Sequence, residues 1–477
     1  MSVDALMPIG LELSVLLLAI TVFVADLLLG PDEKRGLGSY TAIGLGAILC
    51  ASFFLDFEGR AFGVYTSDAL GMYFKQVLLL AGLIGVIASI DHVDESTPAR
   101  QGEHYLLILF SMCGMLLLTG AQDAVLWVVA FELASIPFYV LLAFGKDKRS
   151  TEAGMKLFLM GAISSVFILY GFSLIWGMSG STSFAALGAA PAEPLFILGV
   201  ALVLIGVCFK IGAVPFHLWM ADAYQGGPGP VVSILSVAPK IAAFAGLVRL
   251  YIEGLFPHQA IWTPTVIVLC VASLLVGNLA ALPQQDSRRL LALSGVGHMG
   301  LLLLALVAGT HNAIGALAFY SLAYVVTNMG AMIVVTSLRD KEGSAKVNAL
   351  NGLSQRSPGL GLAMLLFLLS LGGIPFVVGF WSKLTLFWAA WTANSTILKG
   401  IVIFGVCISV LALFYYLRLG RAVYIEEPEK SEPVQFGIPT KIAIGICAVC
   451  VVLMGVFPAV FIEPALDAAR GIVIGSP

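Results

Sequence analysis

Two lysines, Lys210 and Lys240, stand in apolar sequence on either side of a proline-interrupted stretch, Val214-Pro215-Phe216-His217, and a turn, Gly226-Gly227-Pro228-Gly229-Pro230. An ammonium in hydrocarbon is costly. It persists where it has a partner, a water-filled cavity or a part in moving charge. Lys210 precedes the turn by about 16 residues and Lys240 follows it by about 10, roughly 24 Å and 15 Å of helix at ~1.5 Å per residue. Two antiparallel helices meeting at the turn would carry both amines into the central part of a ~30 Å hydrocarbon core. At that depth the charge of the neighbours decides whether an amine holds or releases its proton.

Other ionisable groups fall in apolar runs as well. Glu132, in Phe131-Glu132-Leu133-Ala134-Ser135-Ile136-Pro137, is near the middle of its run, with Asp123 closer to the end. Glu132 and Lys210 suit either a switchable acid–base pair or an ion pair that only ties helices. Pro215 removes a backbone donor and frees carbonyls between Lys210 and His217 that can bind water. His298 lies in Ser294-Gly295-Val296-Gly297-His298. An imidazole relays protons near neutral pH but also serves as a plain hydrogen-bonder between helices. For His217 and His298 both readings stay open. Lys383 follows Pro375 in the run 357–391 and is the last amine of the row. His92, His104, His258 and His311 fall at run edges and Asp26, Asp222 and Glu253 near run ends, where an interfacial position suffices. Tyr320 and Tyr324 read as ordinary helix-face residues.

The elements that must position these groups are membrane helices. Of 477 residues, 59% are hydrophobic and 11% charged, with a mean hydropathy of +1.00. A soluble domain carries roughly 25% charge. So little charge cannot cover a water-facing surface, and the expectation is an all-α polytopic membrane protein. Division at polar, Gly and Pro clusters gives fourteen spans, near 6–30, 38–55, 71–90, 104–119, 122–144, 153–179, 194–223, 229–254, 259–282, 289–308, 311–338, 357–391, 395–417 and 439–462. The first run has no basic segment before it and reads as a retained helix. Lys and Arg concentrate in alternate loops: Lys34 and Arg35, Arg100, Lys146 to Arg149, Arg288 and Arg289, Arg339 to Arg356, and Arg418 to Lys441. Opposite them stand only Arg60, Lys75, Arg249, Lys399 and Arg470, read as loop or helix-end charges. The bias places both termini on the outer side of the membrane, facing the periplasm or its equivalent.

The net charge of -3 argues for no nucleic-acid partner. Cys447-Ala448-Val449-Cys450 has a metal-site spacing, but it lies in an apolar run without a second cysteine pair. No Gly-rich loop follows a strand pattern, so no direct binding of NADH, flavin or ATP is expected. One internal echo matters. Gly212 to Trp219 resembles Gly373-Ile374-Pro375-Phe376 with the following Gly379 to Lys383, each with Gly and Pro inside a long apolar run. Paired interrupted helices in two halves mark an inverted-repeat transporter with its site at the breaks.

The stretch from Lys210 to Val231, followed by Pro239-Lys240, resembles the antiporter-like membrane subunits of respiratory complex I and the related Mrp-type cation/proton antiporter subunits. The resemblance covers essentially the whole chain. It implies inverted five-helix repeats over spans four to eight (104–254) and nine to thirteen (259–417), each with a broken helix. Helices one to three (1–100) and the last helix (439–462) would lie outside the repeats, within one integral membrane domain. It also implies a proton-relay axis of Glu132, Lys210, His217, Lys240, His298 and Lys383, and no cofactor in this subunit. NADH, FMN, iron–sulfur clusters and quinone would sit in partner subunits. Partners would be an antiporter-like M-type subunit, small K/J/A-type subunits and the lipid bilayer, with protons and water as cargo. Lys383 in the broken twelfth helix and the short tail after span fourteen point to one branch of the family. A Na⁺/H⁺ antiporter subunit and a structural spacer of the membrane arm are the competing readings.

Overall fold

The computed structural model describes residues 6–30, 33–55, 57–393, 395–430, 432–472 and 474. The chain begins with α1 (Gly10–Leu28) and α2 (Leu37–Phe54). A two-stranded antiparallel hairpin, β1 (Gly59–Ala61) and β2 (Tyr65–Ser67), leads into α3 (Ala69–Ser96). Then come α4 (Gln101–Gly120), α5 (Ala124–Leu142), α6 (Lys148–Ser179) and the short α7 (Phe184–Leu187). The seventh span is split into α8 (Pro194–Ile211) and α9 (Leu218–Gly226). The eighth is split into α10 (Gly229–Leu235) and α11 (Ala238–Leu247), ending in a π-helical segment, Val248–Gly254. The second half holds α12 (Gln259–Ala281), α13 (Ser287–Ala308), α14 (His311–Glu342) and the short α15 (Leu353–Arg356). It continues with the split pair α16 (Pro358–Gly372) and α17 (Val378–Thr392), then α18 (Thr396–Tyr424), α19 (Ile438–Val456) and α20 (Pro458–Arg470).

Thirteen helical runs among the described residues are long and apolar enough to cross a bilayer. The pair α16–α17 is the remaining, broken span, which completes the expected fourteen. The fold is all-α and polytopic. A Gly–Pro break divides the seventh and the twelfth spans, and the eighth is interrupted as well.

Local chemistry fixes the ends. Asp68, Asp123, Asp147 and Asp286 cap α3, α5, α6 and α13 by accepting from first-turn amides, which satisfies donors that have no intrahelical partner. Both breaks share one device. Gly212 and Gly373 take left-handed φ values of 71° and 82°. The next amides, of Ala213 and Ile374, reach back to Cys208 O and Leu369 O at 3.0 Å each. This is a glycine-centred helix stop, and the following Pro215 and Pro375 prevent restart.

Two sequence expectations change. The eighth span is not one helix, because Pro239 interrupts it beside Lys240. The stretch expected as 439–462 ends at Val456, and Pro458 opens α20, which packs on α14 and α3.

Burial divides the spans. The eighth and tenth are buried over their whole apolar window and the eleventh over 94% of it, against 33% for the first, sixth and thirteenth. The core of the molecule is therefore α10–α11, α13 and α14. The peripheral helices present apolar side chains such as Leu17, Ile43 and Phe414 outward, as hydrocarbon requires.

Candidate functional site

The first station lies between α5, α6 and α8. Phe131, Ser135 and Tyr139, four residues apart, share one face of α5. The amine of Lys210 sits 5.3 Å from the Phe131 ring centre and 5.2 Å from that of Tyr139, and it donates to Tyr139 Oη at 3.3 Å. Glu132 is one position further round, about 100° on an α-helix. It turns to α6, where Ser165 Oγ donates to its Oε1 at 2.5 Å. The expected direct Glu132–Lys210 contact is therefore not made; helix geometry aims the two groups at different neighbours. Both residues are half-buried.

The first break answers its own carbonyls. Trp219 Nε1 donates to Phe209 O at 2.9 Å, and Val214 N donates to Ser273 Oγ of α12 at 3.0 Å. His217 is buried on the connector into α9, and its Nδ1 has no hydrogen-bond partner among the described residues. The turn that follows is gripped by Arg288 of α13, itself buried, which donates to Gly227 O at 3.1 Å and to Gln225 O.

Lys240, on α11, is 1% exposed. Its amine lies 5.4 Å from the ring centre of Tyr224, within cation–π range. It makes no hydrogen bond or ion pair among the described residues. The hydroxyls of Tyr224 and Tyr324 are likewise buried and unpartnered.

His298 of α13 stands between two tyrosines, with Nδ1 2.6 Å from Tyr320 Oη and Nε2 3.1 Å from Tyr416 Oη. Its ring packs on Tyr324 at 5.1 Å. Lys383, 8% exposed, reaches back across the second break and donates to Leu371 O at 2.8 Å and Gly372 O at 3.1 Å. These are the orphan carbonyls at the end of α16, where the helix dipole favours a cation. At the second break the lysine thus does what Trp219 does at the first. A cavity of ≈ 10 Å³ lies among His298, Tyr320, Tyr324, Ser370 and Lys383. A second of the same size borders His298, Lys383, Asn278 and Tyr416. Each is about the space of one water. The structure brings Lys240, His298 and Lys383 into one buried region around α11, α13, α14 and α17. Glu132 and Lys210 form a separate station, and no hydrogen bond joins His217 to either.

Sequence reasoning missed a buried ionic cluster at the other end of the helices. Lys75 and Arg249 are not loop charges. Lys75 pairs with Glu12 at 3.1 Å, and Tyr65 Oη donates to the same carboxylate at 2.5 Å. Arg249 meets Asp68 and Glu253 at 2.5 Å each. Lys75 with Glu12 and Arg249 with Asp68 are matched across long stretches of chain, pairings that no local pattern displays, while Glu253 meets Arg249 at i,i+4. At the positive end a polar pocket of about 430 Å³ is lined by Arg149, Lys156, Asp222, Asp286, Arg288 and Arg339. There Asp222 is held by Lys156 at 2.9 Å and Arg289 at 2.6 Å.

Fourteen spans, two breaks at equivalent places and buried lysines beside them define a class. Residues 121–411 match the family described as NADH:quinone oxidoreductase/Mrp antiporter, TM, and the chain belongs to it. Within the family it is similar to subunit N, the branch that Lys383 and the short tail suggested. NADH-quinone oxidoreductase subunit N of Moorella thermoacetica is 36% identical over 459 residues, covering 95% of this chain and 96% of that one. A chain of respiratory complex I from Thermus thermophilus with bound aureothin has 34% identity and a TM-score of 0.82, over 96% of this chain and 99% of that chain. A chain of the Mrp complex from a Dietzia species shares the fold, with a TM-score of 0.86 at 20% identity, over 98% and 97%.

Proposed function

We propose that this chain is a proton-translocating membrane subunit of NADH:quinone oxidoreductase, resident in a bacterial inner membrane with both termini periplasmic. It is part of an enzyme without doing redox chemistry. NADH, FMN, iron–sulfur clusters and quinone belong to partner subunits, and its neighbours are an antiporter-like M-type subunit and small K/J/A-type subunits. The relay runs through Glu132, Lys210, His217, Lys240, His298 and Lys383. The observation that carries this reading is Lys240. A lysine kept only for structure would be paired, as Lys75 is with Glu12. Lys240 is buried and has no partner among the described residues.

The mechanism is electrostatic. Glu132 rests on Ser165 and Lys210 on Tyr139, so a small rotation of α5 or α6 changes their separation. Bringing an anion to about 4 Å from an ammonium is worth about 4 kcal/mol at an effective dielectric of 20. A proton moved against 100 mV needs about 2.3 kcal/mol. One such rearrangement therefore suffices to load or unload Lys210, whose proton then passes to Lys240 and on to Lys383.

The test is Lys240→Ala and Glu132→Gln in the intact complex, in membrane vesicles. Normal assembly with NADH-driven proton uptake lowered at least tenfold is expected. Assembled variants that pump normally would leave the chain as a spacer. The shared fold supports a second reading, a Na⁺/H⁺ antiporter subunit; uptake that requires Na⁺ and is indifferent to NADH would favour it.

A further inference from the structure

The geometry points to Tyr324 as the proton-transfer residue between Lys240 and Lys383, at the boundary of the two repeats. This deepens the proton-translocation reading and rests on it.

Lys240 is carried by α11 of the first repeat, Lys383 by α17 of the second, and Tyr324 by α14 between them. On one side of Tyr324 lies Gly295 of α13. The point where a Cβ on Gly295 would stand is 2.9 Å from Tyr324 Oη and 3.5 Å from Lys240 Nζ. With no side chain on Gly295, a hydroxyl and an amine converge on the same point of its backbone. Both are buried, and neither has another partner among the described residues. A water bridging them would have two polar partners, within the two to four a water needs. On its other side Tyr324 lines the water-sized cavity that also touches Lys383 and Ser370. The Tyr324 ring is held in place by the His298 imidazole packed on it, while His298 is occupied through both nitrogens by Tyr320 and Tyr416.

The transfer balances without any further reactant. An N–H bond of the Lys240 ammonium breaks, and its proton goes to a water bridging the amine to the Tyr324 hydroxyl beside Gly295. That water gives a proton to the Tyr324 oxygen as the phenol releases its own into the cavity. The phenol is neutral before and after, and the proton arriving in the cavity binds the neutral amine of Lys383. A phenol is both donor and acceptor, so the step needs no phenolate.

Two variants test this in the intact complex. Tyr324→Phe keeps the ring that packs on His298 and removes only the hydroxyl. Gly295→Ala removes no hydrogen-bonding group and sets a methyl 2.9 Å from the Tyr324 hydroxyl, which must shift away. Expected for both are normal assembly, NADH-driven proton uptake reduced about fivefold or more, and a solvent deuterium isotope effect on uptake larger than that of the parent. A purely structural role of either residue would not move the isotope effect. Lys240→Ala is measured alongside. If it abolishes uptake while both variants keep the parental rate and isotope effect, Tyr324 is not on the path and the wider reading stands. If Lys240→Ala also pumps normally, the relay itself is refuted.

Discussion

At the residue scale, each buried amine is held by a different kind of partner, and the partner decides what a substitution reports. Lys383 satisfies two carbonyls at the end of α16. Lys383→Leu bares them at about 1–3 kcal/mol each, so the complex should lose both thermal stability and pumping. Lys383→Gln still donates to a carbonyl but holds no transferable proton. It should assemble, melt close to the parent and fail to pump; a pumping Lys383→Gln complex would remove this lysine from the relay. Glu132→Gln likewise still accepts from Ser165, so its loss of pumping should come without loss of assembly. The depth of these lysines was legible from the apolar runs around them. Their partners were not, because Leu371 and Gly372 are reached only across a break. Tyr324 read as an ordinary helix-face residue, and Tyr224 drew no role, because an aromatic in a helix carries no charge to mark it. Lys75 and Arg249 looked peripheral because Glu12 and Asp68, which neutralise them, come from other elements.

At the scale of elements, the two breaks are built from glycines with no room for a substituent. A Cβ on Gly379 would lie 1.7 Å from Ser370 O, whereas one on Gly177, in α6, meets nothing within 4 Å. Gly379→Ala should therefore leave little assembled subunit on a native gel. Gly177→Ala should assemble fully, with up to about 1 kcal/mol of added helix preference. Equal assembly of the two would show that the second break is not closely packed. The clamp at the start of α3 has its own signature. Burial raises the Asp68 carboxyl pKa, but the Arg249 guanidinium beside it, with the Gly71 amide, more than reverses this and holds it below the usual carboxylate value. Its stabilisation is complete above the ordinary carboxylate pKa and is lost as pH falls through the lower folded value. Thermal melts should drop steeply in acid for the parent, and less steeply for Asp68→Asn, which starts lower. The fourteen spans were readable because hydropathy and helix length carry that information. The Gly–Pro echo marked both breaks. The interruption at Pro239 was equally visible as a proline in an apolar run, but the continuous hydropathy masked it. The start of α20 depends on packing against α14 and α3, which sequence spacing does not show.

At the scale of the whole molecule, the ionisable groups form two regions rather than an evenly spaced row. Glu132 and Lys210 are half-buried among α5, α6 and α8, while Lys240, His298 and Lys383 are buried around α11, α13, α14 and α17. Two arrangements of function fit two regions: one path in series, or an independent path in each repeat. Mutant rates separate them, because groups acting as one unit are strongly non-additive. In series, any one gap brings flux to the same residual leak. Lys210→Ala, Lys383→Ala and the double variant should then pump at the same low rate, within about twofold. With independent paths each single variant would keep a large share of the flux through the other repeat, and only the double would be silent. The packing favours the series arrangement. Lys240 of α11 and Tyr324 of α14 both face Gly295. The same tyrosine lines the cavity leading to Lys383. Proton uptake in vesicles, measured for the three variants at equal subunit content, decides the matter. Single variants that each retain about half the parental rate would overturn the series path and leave the repeats as parallel carriers.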